Sequence, residues 1–402
     1  MSKPLNILYA SAGGGWIHRA SAEVIKLGHQ PHLYSPAKNS TGIPAENFHR
    51  GRPFNLACQP FYRIAGGRYA EAGYHIMFPV WKWWFKRQPH PKCDVVHAVM
   101  GSAIEPFDAA EKMGALKVLD ASNSHPTSFF GFWQRELDIW NPSAHVSVPR
   151  RVFARANQEI HRADVVLCAS TYVRDSMIYN GVSESKLAVN PFGADLKVFV
   201  PRERPPEKPR FLFVGGLTLR KGLQYLIPAF EQLKKQRPDA ELILCGPANH
   251  GDFTELFARW KHLFTHIPSI AHKDLAELMR SCTAFVFPSI EEGFARVIAE
   301  AMAGGLPIIA THNSGATTVV ENGKQGIIVP VCSSQAVAQA MLKMIEQPDL
   351  CDAMGKAAAA RMALDGSWGC YAERLVETYD TDRKSTRLNS SHVVTSRMPS
   401  SA

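Results

Sequence analysis

Apolar residues along this chain fall in short unbroken runs, each followed by a stretch with the spacing of a one-sided helix. In the first half Ile7–Ala10, Asp94–Val99, Lys117–Leu119 and Asp164–Ser170 read as buried strands, because aliphatic runs bounded by turn residues suit strands covered on both faces. Helices are predicted between them over Trp16–Leu27, Ile104–Met113 and Tyr172–Tyr179. The charged, proline-rich passage Pro201–Pro209 interrupts the alternation and reads as an exposed linker. The pattern then restarts with strand Arg210–Gly215, helix Leu223–Lys235, strand Glu241–Cys245 and helices Phe253–Trp260 and Lys273–Ser281. Strand Thr283–Pro288, helix Ala295–Ala303 and strand Ile308–Ala310 follow. Repeated βα units imply mostly parallel sheets. The expected fold is therefore α/β: two Rossmann-like parallel-sheet domains, 1–200 and 201–365, facing each other across a cleft. A closing helix over 366–382 carries an apolar stripe of Trp368, Tyr371, Leu375 and Tyr379.

Composition agrees with two domains, since 402 residues, 46% of them hydrophobic, exceed what one core usually organises. The eight cysteines are dispersed, with no C-x-x-C pair, which points to a reducing compartment and no structural zinc. No apolar run approaches the roughly 20 residues that cross a bilayer, and Met1–Asn6 leads directly into the first strand. The expectation is a cytoplasmic protein that does not span a membrane. The net charge of +9 is swollen by Arg383, Lys384, Arg387 and Arg397 in a terminus without acids; removing these four leaves +5. That Ser-rich segment, 383–402, lacks periodicity and is expected to be disordered. It also resembles translated sequencing-adapter read-through and is set aside as foreign to the native chain. The remaining basic residues do not cluster and no recognition motif occurs, which disfavours nucleic acid. Trp81, Lys82, Trp83, Trp84, Phe85, Lys86 and Arg87 mix aromatic bulk with charge. They suit either a helix lying on an anionic membrane or a buried aromatic helix whose lysines reach solvent.

Two turns carry candidate chemistry. In the first, Phe211–Val214 runs into Gly215-Gly216, then Arg220-Lys221-Gly222 opens a helix. Glycines let a ligand approach the backbone, while Arg220 and Lys221 offer a fixed fork and a point charge for a diphosphate. In the second, Pro288-Ser-Ile-Glu-Glu-Gly-Phe places Glu292 at the mouth of a strand-to-helix turn and Glu300 inside the helix, roughly 12 Å further along its axis. Helix N-termini at the carboxyl ends of strands favour phosphate. One carboxylate can meet a sugar and the other a ribose; the alternative is a pair of solvated charges favoured by the positive helix end. In the first domain Gly13-Gly14-Gly15 reads as either a flexible turn or a backbone cradle. His125, after a strand, reads as either a polar loop histidine or a hydrogen-bonding partner of a sugar.

The run Pro-Ser-x-x-Glu-Gly-Phe, seven residues between Glu292 and Glu300, then Ala-Met-Ala-x-Gly-x-Pro, closely resembles the donor-site signature of retaining glycosyltransferases of family 4. Members of that family have the GT-B fold. Val214-Gly215-Gly216-Leu217 with Lys221-Gly222 resembles the family pattern Val-Gly-Arg-Leu, three residues, Lys-Gly. Gly216 stands where the family has arginine, and Arg220 is the neighbouring residue able to supply that charge. Ala295 replaces a second glycine after Phe294, which narrows the expected sugar pocket. Asn190-Pro-Phe-Gly193-Ala-Asp195 resembles the family's Pro-Tyr-Gly-Val-Asp segment and is read as structural support.

The resemblance implies transfer of a sugar from a nucleoside diphosphate sugar to a hydroxyl acceptor, with retention, in glycan, glycolipid or cell-envelope polysaccharide biosynthesis. Glu300 is then expected on the ribose, and Lys221 and Arg220 on the diphosphate. The amides of Gly293, Phe294, Ala295 and Arg296 are expected on sugar or phosphate oxygens, with Gly215 and Gly216 beside the ligand. Glu292 and His125 are assigned to the sugar, and Gly13, Gly14 and Gly15 to the acceptor and leaving group. The closing helix is expected to cross back to the first domain. No Asp-x-Asp sequence occurs, and cationic side chains with a helix end substitute for a metal, so turnover is expected without metal or other cofactor. A lipid-linked acceptor would bring the protein to the inner membrane face. Two other readings stay open: a hydrolysing UDP-sugar epimerase on the same paired domains, and a catalytically silent sugar-nucleotide-binding protein.

Overall fold

Two parallel sheets with helices on their faces form the body of the protein. The computed structural model describes residues 3–13, 15–52, 70–142, 150–203, 206, 208–248 and 253–395. Gly14, Cys58, parts of Pro201–Pro209 and residues 396–402 lie outside them.

The first sheet belongs to a run of β1 (Asn6–Ala10), α1 (Trp16–Lys26), β2 (Gln30–Ser35), β3 (Phe48–Arg50), α2 (Ala70–Phe85), β4 (Val95–Val99), α3 (Ile104–Met113), β5 (Leu116–Ala121), α4 (Pro126–Trp140), α5 (Arg150–Arg162), β6 (Val165–Cys168), α6 (Thr171–Tyr179) and β7 (Leu187–Val189). Its strand order is β3-β2-β1-β4-β5-β6-β7, parallel throughout. The second sheet takes β8 (Arg210–Val214), α7 (Leu223–Gln236), β9 (Glu241–Cys245), α8 (Thr254–Trp260), β10 (Thr265–Ile267), α9 (His272–Arg280), β11 (Ala284–Phe287), α10 (Arg296–Ala303), β12 (Ile308–Thr311) and β13 (Gly326–Val329). Its order is β10-β9-β8-β11-β12-β13, again parallel. Helices α11 (Ser334–Glu346), α12 (Pro348–Asp365) and α13 (Trp368–Thr395) complete the described chain.

β4, β6, β11 and β12 are buried at every position, as strands covered by helices on both faces must be. In each sheet the order reverses beside the strand that opens the unit, between β1 and β4 and between β8 and β11. Loops leaving the carboxyl ends of strands diverge at such a reversal and leave a crevice, the usual ligand position in open α/β sheets. The Gly215-Gly216 and Glu292-bearing turns leave β8 and β11, on either side of the second reversal.

α13 runs back over the first sheet. The Tyr379 hydroxyl lies 2.6 Å from His97 Nδ1 and donates to the Tyr9 hydroxyl over 3.2 Å. Asn190 Nδ2 donates to Tyr371 O, and Arg374 donates to Asn190 Oδ1 and Pro191 O. The helix continues to Thr395, past residue 382, where disorder was expected to begin. No glycine or proline interrupts 383–395, so nothing local stops it. In α2 the aromatic segment divides: Trp81, Trp84 and Phe85 are core, while Trp83 remains 49% exposed with Arg87 stacked 4.7 Å from its ring. Three of the four rings thus belong to packing.

Candidate functional site

A cavity of about 410 Å³ opens at the second sheet's reversal, within the size range of small-ligand sites. Its walls come from the β8 turn (Gly215, Gly216, Lys221) and from the segment after β11 (Glu292, Phe294 to Val297, Glu300). Its far end is lined by Gly246-Pro247 after β9 and Pro268 to Ile270 after β10. Of the residues singled out in the sequence, Gly215, Gly216, Lys221, Glu292, Phe294, Ala295, Arg296 and Glu300 share this wall. Gly13, Gly15, His125, Arg220 and Gly293 do not.

The two turns are locked together. Gly222 has φ +74°, and a Cβ there would collide with Pro288 O, so both backbone conformation and packing demand glycine. Ile290 N and Ser289 Oγ donate to Arg220 O, and Asn313 Nδ2 donates to Ile290 O. Held this way, the Lys221 ammonium pairs with Glu292 Oε2. Burial and the neighbouring Arg220 guanidinium push Lys221 well below the ordinary lysine range, and Glu291 pulls it back. Glu300 is shifted in the opposite sense: burial raises its carboxyl, while His272, Arg296 and Arg19 restrain the rise. The N-cap of α10, Ala295, supplies no side-chain acceptor, which leaves first-turn N–H groups for a ligand.

Arg220 points elsewhere. Its Nη1 donates to Glu291 O at 2.8 Å, Glu291 Oε2 at 3.1 Å and Glu292 Oε2 at 3.3 Å, and its guanidinium stands 5.3 Å over Phe129 of α4. Arg220 does not line the cavity where the expected diphosphate would lie. The attraction of the fully buried Glu291 carboxylate outweighs the open cavity, because a buried acid demands a partner.

Glu291 was not distinguished from its neighbours in the sequence. Its Oε1 accepts from Ser124 Oγ at 2.8 Å and Ser124 N at 3.4 Å, tying the second sheet's donor turn to the loop after β5. Gly293 is pressed against the same loop, and its carbonyl accepts from Ser170 Oγ at 2.5 Å. Away from the cavity, buried Glu136 of α4 accepts from Gln224 Nε2 and Tyr225 OH of α7, each at 3.0 Å. The described chain therefore shows the two halves in contact.

His125, the residue after Ser124, is the N-cap of α4. Its Nδ1 accepts from Thr127 N at 3.3 Å, and its own N–H donates to Ser176 Oγ at 2.9 Å. Burial lowers its pKa from 6.5. Because Nδ1 accepts, the neutral ring carries its proton on Nε2. Asp120 does not partner His125; it accepts from Trp16 Nε1 at 2.9 Å and meets His97 Nε2 at 3.2 Å. Trp16 begins α1, so this buried network anchors the helix behind the glycine loop. Gly13 N donates to Ser11 Oγ and Ala12 N to Ser102 Oγ. A Cβ at Gly13 or Gly15 would meet nothing within 4 Å among the described residues beyond its chain neighbours. Gly14 lies outside the described residues.

Among the described residues no group of three or more His, Cys, Asp or Glu side chains could hold a metal ion, and no helix is long and apolar enough to cross a membrane. The seven described cysteines are free thiols.

Residues 197–361 match the family described as Glycosyl transferases group 1. The chain is 26% identical over 312 residues to a D-inositol 3-phosphate glycosyltransferase of Pseudarthrobacter chlorophenolicus, covering 73% of this chain and 72% of that protein. It spans about half the length of two further proteins of that name, 52% and 49%. Among solved structures, a sucrose-phosphate synthase from Thermosynechococcus elongatus superposes with a TM-score of 0.72 at 18% identity, over 94% of this chain and 99% of that one. Anabaena HepE in complex with UDP-glucose gives 0.67 at 17% identity, over 94% and 100%. These likenesses show a common two-sheet fold.

Proposed function

We propose that this chain is a glycosyl transferase of group 1, the family its residues 197–361 match, and that it moves a sugar from a nucleoside diphosphate sugar to a hydroxyl acceptor with retention at the anomeric carbon; its two-sheet fold is that of the GT-B structures it superposes on. One observation carries this reading: Glu300, Lys221, the Gly215-Gly216 turn and the uncapped start of α10 converge on a single cavity at the sheet reversal. The neighbouring HepE is described with UDP-glucose, which supports a donor of that class.

In the proposed complex the base lies toward Pro247 and Pro268 to Ile270, and Glu300 accepts from the ribose hydroxyls. The diphosphate meets the α10 amides and Lys221. Lys221 is held below its usual range by burial, and an arriving diphosphate stabilises its charged form. The ammonium then exchanges Glu292 for phosphate, and the Glu292 carboxylate turns to the sugar, where it stabilises positive charge developing as C1 separates from the leaving oxygen. His125 donates from Nε2 to a sugar hydroxyl, and the loop of Gly13 and Gly15 receives the acceptor side. Cationic side chains and helix amides take the place of a metal, and activity is expected to survive a chelator. A peripheral membrane contact, with a lipid-linked acceptor, rests on Lys82, Trp83, Lys86 and Arg87, all exposed.

Thermal-shift screening of the full chain against UDP-, GDP- and ADP-sugars tests the donor class. A ligand in excess over its Kd raises the melting temperature by mass action, and one base is expected to dominate. No shift with any of them, and no transfer from any, would remove the proposal.

A further inference from the structure

The cavity needs a permanent cation, and the residue best placed to supply it is Arg296. The acidic and basic side chains of the wall, its Cys245 thiol aside, are Lys221, His272, Glu292, Arg296 and Glu300. Two are carboxylates, and a diphosphate adds more negative charge. Lys221 is already engaged by Glu292 and is disfavoured as a cation by burial. The opposite turn, Gly215-Gly216, has no side chain to offer. Arg220, the other guanidinium near the turn, is consumed by Glu291 O, the Glu291 and Glu292 carboxylates and the Phe129 face.

Arg296 differs in each respect. It is the first residue of α10, exposed, and part of the cavity wall. Among the described residues it has no carboxylate within ion-pair distance, and its electrostatic partner is Glu300, one turn along the helix. A guanidinium stays charged at any working pH and binds phosphate oxygens through paired N–H groups. Its position beside the uncapped amides of α10 lets side chain and backbone grip the same anion.

We propose that the Arg296 guanidinium binds the diphosphate of the donor, and that Arg220 is a positioning residue bracing the turn of Glu291 and Glu292. The proposal rests on the nucleotide-sugar reading above and names its anion clamp.

The test compares each nucleoside diphosphate (UDP, GDP, ADP) with its own nucleoside by calorimetric titration of the full chain, as wild type, R296Q, R296K and R220Q. For the diphosphate that binds wild type, R296Q is expected to weaken affinity about ten- to a hundred-fold, the size of a lost charge-assisted bond, while the nucleoside changes far less. R296K should recover part of the loss. R220Q should lower thermal stability and leave the ratio of diphosphate to nucleoside affinity unchanged. Equal effects of R296Q on both ligands, no effect on either, or a diphosphate-selective loss in R220Q would overturn the assignment. If none of the diphosphates binds wild type, the nucleotide-sugar reading falls and the clamp with it.

Discussion

Ser124 and Glu291 join the two halves of the protein: the serine hydroxyl donates to the carboxylate over 2.8 Å at a site with no solvent access to Glu291. The residue after Ser124 is His125, and the residue after Glu291 is Glu292. One buried contact therefore helps set the spacing between the two side chains proposed to meet the sugar. Removing the carboxylate in Glu291→Ala leaves Ser124 without its acceptor and takes one buried carboxylate from the Arg220 guanidinium, which keeps Glu291 O and Glu292 Oε2. A broken buried pair costs about 3–5 kcal/mol. The Arg220 side chain is 22% exposed, and solvent screening brings the expected cost down to about 2–3 kcal/mol. Differential scanning fluorimetry should show a lower melting temperature, and steady-state kinetics a fall in kcat larger than the change in donor affinity. Unchanged kcat in a folded variant would show the contact to be passive.

His125 sets a pH limit. Burial depresses its pKa below 6.5, and protonation would destroy the Nδ1 acceptor that caps α4. A histidine depressed in the folded state binds fewer protons there than in the unfolded chain. Its contribution to stability is therefore present above pH 6.5 and is lost as pH falls through the folded value. Turnover should follow, level near neutrality and declining on acidification. Substitution by alanine is expected to lower kcat by about 10²–10³ if the ring's hydrogen bond strengthens in the transition state, and to abolish that acid limb. An acid limb of the same midpoint in His125→Ala would assign the titration to another group.

The parts of the fold legible in the sequence are those whose signal is local. β1, β4, β8, β9, β11 and β12 are runs of aliphatic and aromatic residues bounded by turn residues, and they stand where the pattern places them. β2 contains Pro31 and His32 and lacks such a run, while β3, β7 and β10 are three-residue edge strands, too short for any period to register. α4 opens with Phe129, Phe130, Phe132 and Trp133 around Gly131, apolar without being one-sided. The same distinction governs the cavity. Glu300 and Lys221 are fixed by turns a few residues long. Glu291 takes its meaning from Ser124, 167 positions away, and its competition for Arg220 is invisible until the two turns are side by side. The far wall was missed for the same reason, because it leaves β9 and the unrecognised β10.

Glu300 should govern donor affinity in a pH-dependent way. Burial raises its carboxyl above the ordinary 4.5, and only the ionised form accepts two ribose hydroxyls. Nucleoside diphosphate affinity should therefore weaken on acidification at a higher pH than an exposed glutamate would allow. Glu300→Ala is expected to weaken binding about tenfold or more, as loss of hydrogen bonds to a charged acceptor implies. Calorimetric titration across pH checks both statements. A variant with wild-type affinity and pH profile would leave the carboxylate no role at the ribose.

Gly293 separates the role of closure from that of the cavity. It does not line the cavity, yet a Cβ there would strike Ser122 O and stand 2.8 Å from Asn123 Cα. Both obstacles are backbone, so no side chain can swing aside, and forced insertion into a packed site typically costs about 1–3 kcal/mol. The segment 122–123 must retreat, taking Ser124 and His125 with it. Gly293→Ala should therefore bind nucleoside diphosphate within about threefold of wild type, given the unaltered cavity wall, while kcat falls at least tenfold, about 1.4 kcal/mol of lost transition-state stabilisation. The outcome that contradicts this is equal loss of binding and turnover, which would mean that Gly293 serves the donor directly and that contact between the two loops has no part in the chemistry.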